Sequence, residues 1–216
     1  MIYLDNAATT KPSKAAVDAM IKAAECFGNP SSLHGLGIEA EKLINESKKN
    51  IADMLGVESK NILFTSGGTE ANNLAVFGVA AARHKIGTKI VTSKIEHPSV
   101  LEAFRKLEID GFNVEYLDVD SEGRVDLDML RNVLDDETIL ISVMHVNNET
   151  GVIQPIEEIR EIMIEKAPYA HLHTDCVQSL GKTDVKPKKM GVDLVTISSH
   201  KIHGFKGTGA LYVADT

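Results

Sequence analysis

Apolar positions along the chain recur with two alternating periods. Segments 13–27, 38–55, 70–83, 99–110, 127–134 and 156–166 carry them three and four residues apart, the spacing of one helix face. In the second, Ala40, Leu43, Ile44, Ser47, Ile51 and Met54/Leu55 form one small or apolar stripe. Pro155 stands just before the last, where a missing N–H costs little. Between these lie short β-rich runs at 61–65, 89–93, 113–117, 139–144, 170–174, 193–198 and 210–213. Several are nearly continuous in apolar residues, as strands covered on both faces are. Strands interleaved with helices predict right-handed crossovers and a mainly parallel sheet. The last two strands are joined by a Gly-rich stretch with no room for a crossover helix, so the final strand should run antiparallel. The expected fold class is α/β: a three-layer α/β/α domain around a mainly parallel seven-stranded sheet with one antiparallel strand.

In open α/β sheets ligands bind beyond the carboxyl ends of the strands. Five predicted strands end in chemically distinctive residues: Ser66-Gly67-Gly68-Thr69-Glu70, Glu96-His97-Pro98, His145 with Asn147-Asn148-Glu149, Asp175 with Gln178, and Ser199-His200-Lys201. The glycine loop leads into a helical pattern, so backbone N–H groups and the helix dipole can meet an anion there. It lacks the Gly-Lys-Ser/Thr ending of a P-loop and the three spaced glycines of a dinucleotide fingerprint, and a plain helix cap reads as well from the loop alone. Asp175 can cap a following helix or pair with a protonated ring nitrogen. His97 can be a packed core histidine or a flat partner for a ring. Lys201 in isolation reads as a solvated surface lysine. Together, an anion loop, an aspartate, a flat histidine, two amides and a lysine on one edge are the parts that an aldehyde-bearing pyridine phosphate needs.

Composition narrows the classes without changing this picture. The 216 residues suffice for a full α/β core, and 43% hydrophobic with 25% charged residues is ordinary for a globular protein. A net charge of −8 argues against a general nucleic-acid or membrane-surface partner, either of which favours a basic face. Met1-Ile2-Tyr3-Leu4-Asp5 has neither the basic start nor the apolar run of a signal peptide, and no apolar stretch approaches the ~18 residues that span a bilayer. Cys26 and Cys176 form no metal-ligand spacing and no disulfide framework, so no metal is expected and a reducing cytoplasm is the expected location.

Set in order, the motifs resemble those of a known family. Tyr3-Leu4-Asp5-Asn6-Ala7-Ala8-Thr9-Thr10, Phe27-Gly28-Asn29-Pro30-Ser31-Ser32, Phe64-Thr65-Ser66-Gly67-Gly68-Thr69-Glu70, Glu96-His97, Met144-His145-Val146-Asn147-Asn148-Glu149-Thr150-Gly151, His173-Thr174-Asp175 with Gln178, Ser198-Ser199-His200-Lys201 and Lys206-Gly207-Thr208-Gly209-Ala210-Leu211-Tyr212 are similar to segments of the cysteine desulfurases of the iron–sulfur-cluster and nitrogen-fixation type. These are class-V aminotransferase-like, fold-type-I pyridoxal-phosphate enzymes. The resemblance implies an N-terminal arm at 1–12 and the pyridoxal-phosphate-binding large domain at 13–216, with the C-terminal small domain and its catalytic cysteine absent. It implies pyridoxal 5′-phosphate as cofactor, with Lys201 holding its aldehyde and then moving protons at the substrate α-carbon. It implies His97 stacked on the pyridine and assisting proton transfer, Asp175 on the ring nitrogen, and Asn148 and Gln178 around the phenolic oxygen. Gly68, Thr69, Ser198 and His200 would hold the phosphate. The implied reaction takes L-cysteine, or a similar amino acid, to L-alanine and an enzyme-bound persulfide. A homodimer and an iron–sulfur scaffold protein are the implied partners. Selenocysteine lyase or aminotransferase chemistry, and a cofactor-binding fragment without turnover, are the alternatives. Two departures stand out: Cys176 replaces a small alanine expected against the ring, and Phe205 replaces a proline after the lysine.

Overall fold

The computed structural model describes residues 2–215; Met1 and Thr216, the outer ends of the expected arm and domain, lie outside the described residues. All seven expected strands form: β1 (Ile62–Thr65), β2 (Lys89–Ser93), β3 (Asn113–Leu117), β4 (Thr138–Ser142), β5 (His171–Asp175), β6 (Leu194–Ser198) and β7 (Gly209–Val213). They make one sheet in the order β1-β7-β6-β5-β4-β2-β3. Only β7 opposes its neighbours, pairing antiparallel with β6 on one side and β1 on the other.

Helices α1 (Lys14–Glu25), α2 (Gly35–Leu55), α3 (Gly68–Arg83), α4 (Pro98–Ile109), α5 (Leu127–Val133) and α6 (Ile156–Lys166) match the periodic segments. A short α7 (Pro187–Met190), opened by a proline and closed by left-handed Gly191, adds one turn that periodicity could not announce. Alternate strand residues serve opposite layers. Ile90, Leu140, Leu194 and Leu211 pack with Ala71, Val76 and Phe104 of α3 and α4. Val91, Ile141, Leu172, Val195 and Tyr212 pack with Leu55, Leu130, Ile159 and Met190 beneath α2, α5, α6 and α7. Full burial of each such aliphatic side chain stabilises the fold by roughly 1.5–3 kcal/mol.

The stripe expected on α2 is only partly used. Of its members Ala40 and Leu55 are buried, whereas Ile44 and Met54 remain exposed. Helix α1 buries no residue at all, leaving Val17, Met20 and Ile21 in solvent with Phe27 and Leu33 beyond it. The first forty-odd residues thus present a band of large apolar side chains with nothing packed on them, more than scattered surface hydrophobes. Among the described residues no helix is long and apolar enough to cross a membrane.

Candidate cofactor cleft

The carboxyl ends of β1, β2, β4, β5 and β6 open onto one cleft of about 600 Å³. Gly68, Thr69, His97, Asn148, Asp175, Gln178, Ser198, His200 and Lys201 all line it. Asn72, Ser99, Met144 and Val177 line it too, with Asp5, Ala7 and Ala8 of the N-terminal stretch.

One end of the cleft is an anion cradle. Gly67, at φ +154°, takes a backbone course that side-chain-bearing residues rarely adopt, and no side chain caps the helix it opens. Glu70 instead reaches back to the Ser66 N–H at 2.6 Å, and the Ser66 hydroxyl, then this N–H, lowers its carboxyl pKa. The first-turn N–H groups of α3 are thereby left without a side-chain acceptor, beside the hydroxyl-bearing Thr69 and Ser198 and the imidazole of His200. Burial, then the charges of Lys201 and Lys206, lowers the pKa of His200.

The cleft also holds an acidic group. Asp175 is the last residue of β5, and no helix follows for it to cap. Its Oδ1 accepts the Val177 N–H at 2.9 Å and its Oδ2 accepts Asn72 Nδ2 at 2.8 Å. Only 6% exposed, it makes no ion pair with any described residue, and burial raises its pKa despite those two bonds. A buried carboxyl group bonded by two neutral donors, with the charges of His97 and Lys201 near but not paired to it, fits a cationic ring nitrogen.

His97 and Lys201 line the same cleft. His97 caps α4, its Nδ1 accepting the Ser99 N–H at 3.1 Å. Lys201 closes the one-turn 3₁₀ segment Ser199–Lys201 after β6. Burial, followed by the nearby charge of Lys182, lowers its pKa. Its Nζ donates to the carbonyls of Ala7 and Ala8. Gln178 Nε2 donates to Ala7 as well, at 2.9 Å, while its Oε1 takes Lys182 Nζ at 3.1 Å. Thr10 fastens the same stretch, donating through its N–H and its hydroxyl to the His200 carbonyl and accepting the His203 N–H at 2.7 Å. Those bonds help hold His203 at φ +62°, an uncommon left-handed conformation for a residue other than glycine.

Asn147 builds the loop after β4: its Oδ1 accepts the Glu149 and Thr150 N–H groups, which leaves Asn148 at the cleft wall. Cys176 does not meet the cleft. It is fully buried in the layer under α5 and α6, with its thiol pushed up to about 12 by burial, and Val177 takes the position at the cleft that the cysteine was expected to fill. The departure at Phe205 is absorbed through the main chain, whose carbonyl accepts the Ser199 and Thr208 hydroxyls. Glu96 is buried behind His97, Oε1 accepting Ser93 Oγ at 2.5 Å and the Met144 N–H at 2.9 Å. Its Oε2 has no partner among the described residues, and burial raises the group to about 8, which favours the neutral acid.

The class-V aminotransferase profile matches residues 2–216. Cysteine desulfurases IscS of Dictyoglomus turgidum and Methanosarcina thermophila are 50% and 48% identical to the chain, each over 98% of it. The alignments cover 54% and 52% of those proteins, so the chain spans about half the length of the curated relatives it matches. Among solved structures, a NifS-like protein superposes with a TM-score of 0.96 at 40% identity, over 99% of this chain and 59% of that one. SspA in complex with cysteine gives 0.94 at 38% identity, over 100% and 62%. The chain belongs to the class-V aminotransferase family, whose members work with pyridoxal 5′-phosphate.

Proposed function

We propose that this class-V aminotransferase chain is the cofactor-holding part of a cysteine desulfurase, an enzyme that takes L-cysteine to L-alanine and passes the sulfur to an enzyme cysteine. The observation that carries the reading is the meeting, in one cleft, of an uncapped anion cradle at Gly67–Gly68, a buried Asp175 without an ion pair among the described residues, and Lys201. Bound pyridoxal phosphate supplies an electron sink for the pair left at the substrate α-carbon.

The residues divide the remaining work. Gly68, Thr69, Ser198 and His200 hold the phosphate; Asn148 and Gln178 hold the phenolic oxygen. Asp175 keeps the ring nitrogen protonated, and His97 covers the ring face. Lys201 takes the aldehyde and moves the α-proton; its lowered pKa favours the neutral amine that both tasks require. Residues 1–12 act as an arm over domain 13–216, tied down through Ala7, Ala8 and Thr10.

Similarity to the IscS and NifS-like proteins supports sulfur supply to iron–sulfur clusters through a scaffold protein, in the cytoplasm, as the setting. The unpacked apolar band over α1 and the start of α2 supports a homodimer. A second reading, a cofactor-binding piece without turnover, has its own support: neither Cys26 nor Cys176 is among the residues lining the cleft, so neither of the chain's two cysteines is positioned to accept sulfur there.

The test is a titration with pyridoxal phosphate, followed by borohydride reduction and peptide mass spectrometry. The expected result is a visible absorption band and a reduced adduct on Lys201, both lost in Lys201→Ala. No band, or an adduct only on other lysines, overturns the reading. Alanine and sulfide formed from L-cysteine then separate the enzyme from the inert holder.

A further inference from the structure

Asn72 and Ser99 have no role in the cofactor set proposed above, yet they join two of its members. Asn72 Nδ2 has two protons and two acceptors: Asp175 Oδ2 at 2.8 Å and Ser99 Oγ at 2.9 Å. The reverse setting of the amide would turn Oδ1 onto the Asp175 carboxylate, so the observed one is fixed by charge. Ser99 Oγ, receiving a proton from the amide, has its own to give, and the atom beside it is His97 Nδ1 at 2.8 Å. The Ser99 main-chain N–H, which can only donate, points at the same nitrogen. Nδ1 therefore accepts from two donors and carries no proton, so in the neutral ring the proton sits on Nε2.

We infer that Asn72 and Ser99 are positioning residues, a one-way relay that sets the tautomer of His97 and occupies one oxygen of Asp175 with the same amide. The placement argues against a purely structural pair. Asn72 is 1% exposed and its Oδ1 is buried without a partner among the described residues, an unfavourable arrangement that a core filler would avoid. The consequence is specific. His97 offers an N–H at Nε2, so it enters any reaction in the cleft as a hydrogen-bond donor. It becomes a proton acceptor only when the relay is broken at Nδ1.

The inference rests on the cofactor reading for its purpose, but its geometry can be tested without cofactor. Long-range ¹H–¹⁵N correlation of the imidazoles in the full, cofactor-free chain, at a pH where they are neutral, reads the tautomer directly. The expected His97 pattern is an unprotonated, pyridine-type Nδ1 and a protonated, pyrrole-type Nε2. Ser99→Ala and Asn72→Leu should each shift Nδ1 partway towards the protonated range, while Ser99→Thr, which keeps the hydroxyl, should match the parent. A carboxyl ¹³C titration should show the Asp175 midpoint raised in Asn72→Leu and unchanged in Ser99→Ala.

A proton on Nδ1 in the parent chain, or nitrogen shifts unchanged in the folded variants, overturns the inference. If Asn72→Leu does not fold, Ser99→Ala against Ser99→Thr decides alone. Failure of pyridoxal phosphate to attach at Lys201 would remove the cofactor reading and leave these signals in place, so the two failures are distinguishable.

Discussion

Lys201 Nζ lies 2.9 Å from the carbonyl oxygen of Ala8, so the amine proposed to take the cofactor is held by the N-terminal stretch. Gln178 and Lys182 continue the same chain of bonds, and the Lys182 charge lowers the Lys201 pKa after burial has done so. Removing that charge in Lys182→Met lets the Lys201 pKa climb, which shrinks the neutral-amine fraction at pH 7. Attachment of pyridoxal phosphate should slow severalfold, with its pH–rate profile moved to higher pH. Stopped-flow absorbance checks this; a superimposable profile would show that Lys182 does not tune Lys201.

Two buried groups should shape stability against pH in opposite senses. Glu96 is raised to about 8, so its contribution is complete below the ordinary carboxylate pKa and is lost as pH rises through 8. His173, held between Ser142 and Thr196, is lowered by burial to about 3, so its contribution is complete above ~6.5 and is lost as pH falls. Between ~4.3 and ~6.5 the two slopes oppose. From there to pH 8 Glu96 acts in the falling direction, with a slope approaching about 1.4 kcal/mol per pH unit. Urea unfolding across this range should show the decline, and Glu96→Gln should flatten it. An unchanged slope in that variant would count against a neutral Glu96.

Gly209 starts β7 against the anion loop: a Cβ there would stand 2.8 Å from Gly67 Cα and from the Ile197 carbonyl oxygen. Both neighbours are main chain and cannot swing aside. Gly209→Ala should destabilise the chain by about 1–3 kcal/mol and weaken phosphate binding at the displaced loop. A denaturation midpoint together with a phosphate titration measures both, and parental values would mean that the strand shifts freely.

Ile21, on the helix that buries nothing, is 59% exposed. Ile21→Glu should change the chain's own stability by less than ~0.5 kcal/mol yet lower its self-association in sedimentation velocity. Equal association in both proteins would remove α1 from the proposed dimer surface.

Much of this arrangement could be read from residue order. Continuous apolar runs and 3.6-residue spacing located the strands and all helices except the four-residue α7. The short link after Lys201 gave the direction of β7, and nine chemically apt residues at strand ends proved to line one cleft. What escaped depended on contacts remote in sequence. Asn72 looks like any polar position in a first helical turn; its meaning lies in Asp175, 103 residues on. Ser99 looks like an ordinary first-turn serine. Cys176 was expected at the cleft, but the chain leaves the strand at Asp175, and strand alternation no longer says which way a side chain points. The partial use of the α2 stripe was equally hidden, because period shows which face is apolar and not whether anything covers it.

Within the sheet, β1 pairs with β7 alone. The strand that carries the anion loop is therefore joined to the strand that carries Lys201 through residues Gly209–Val213, close to 150 positions later. During synthesis at roughly 5–20 residues per second, β1 waits on the order of ten seconds without a sheet partner. Until β7 is made and has left the ribosome, the turn at the end of β1 has no strand that joins it to β6. The cleft is thus a late product of folding, one that a nascent chain cannot offer to a cofactor however complete its earlier strands and helices are.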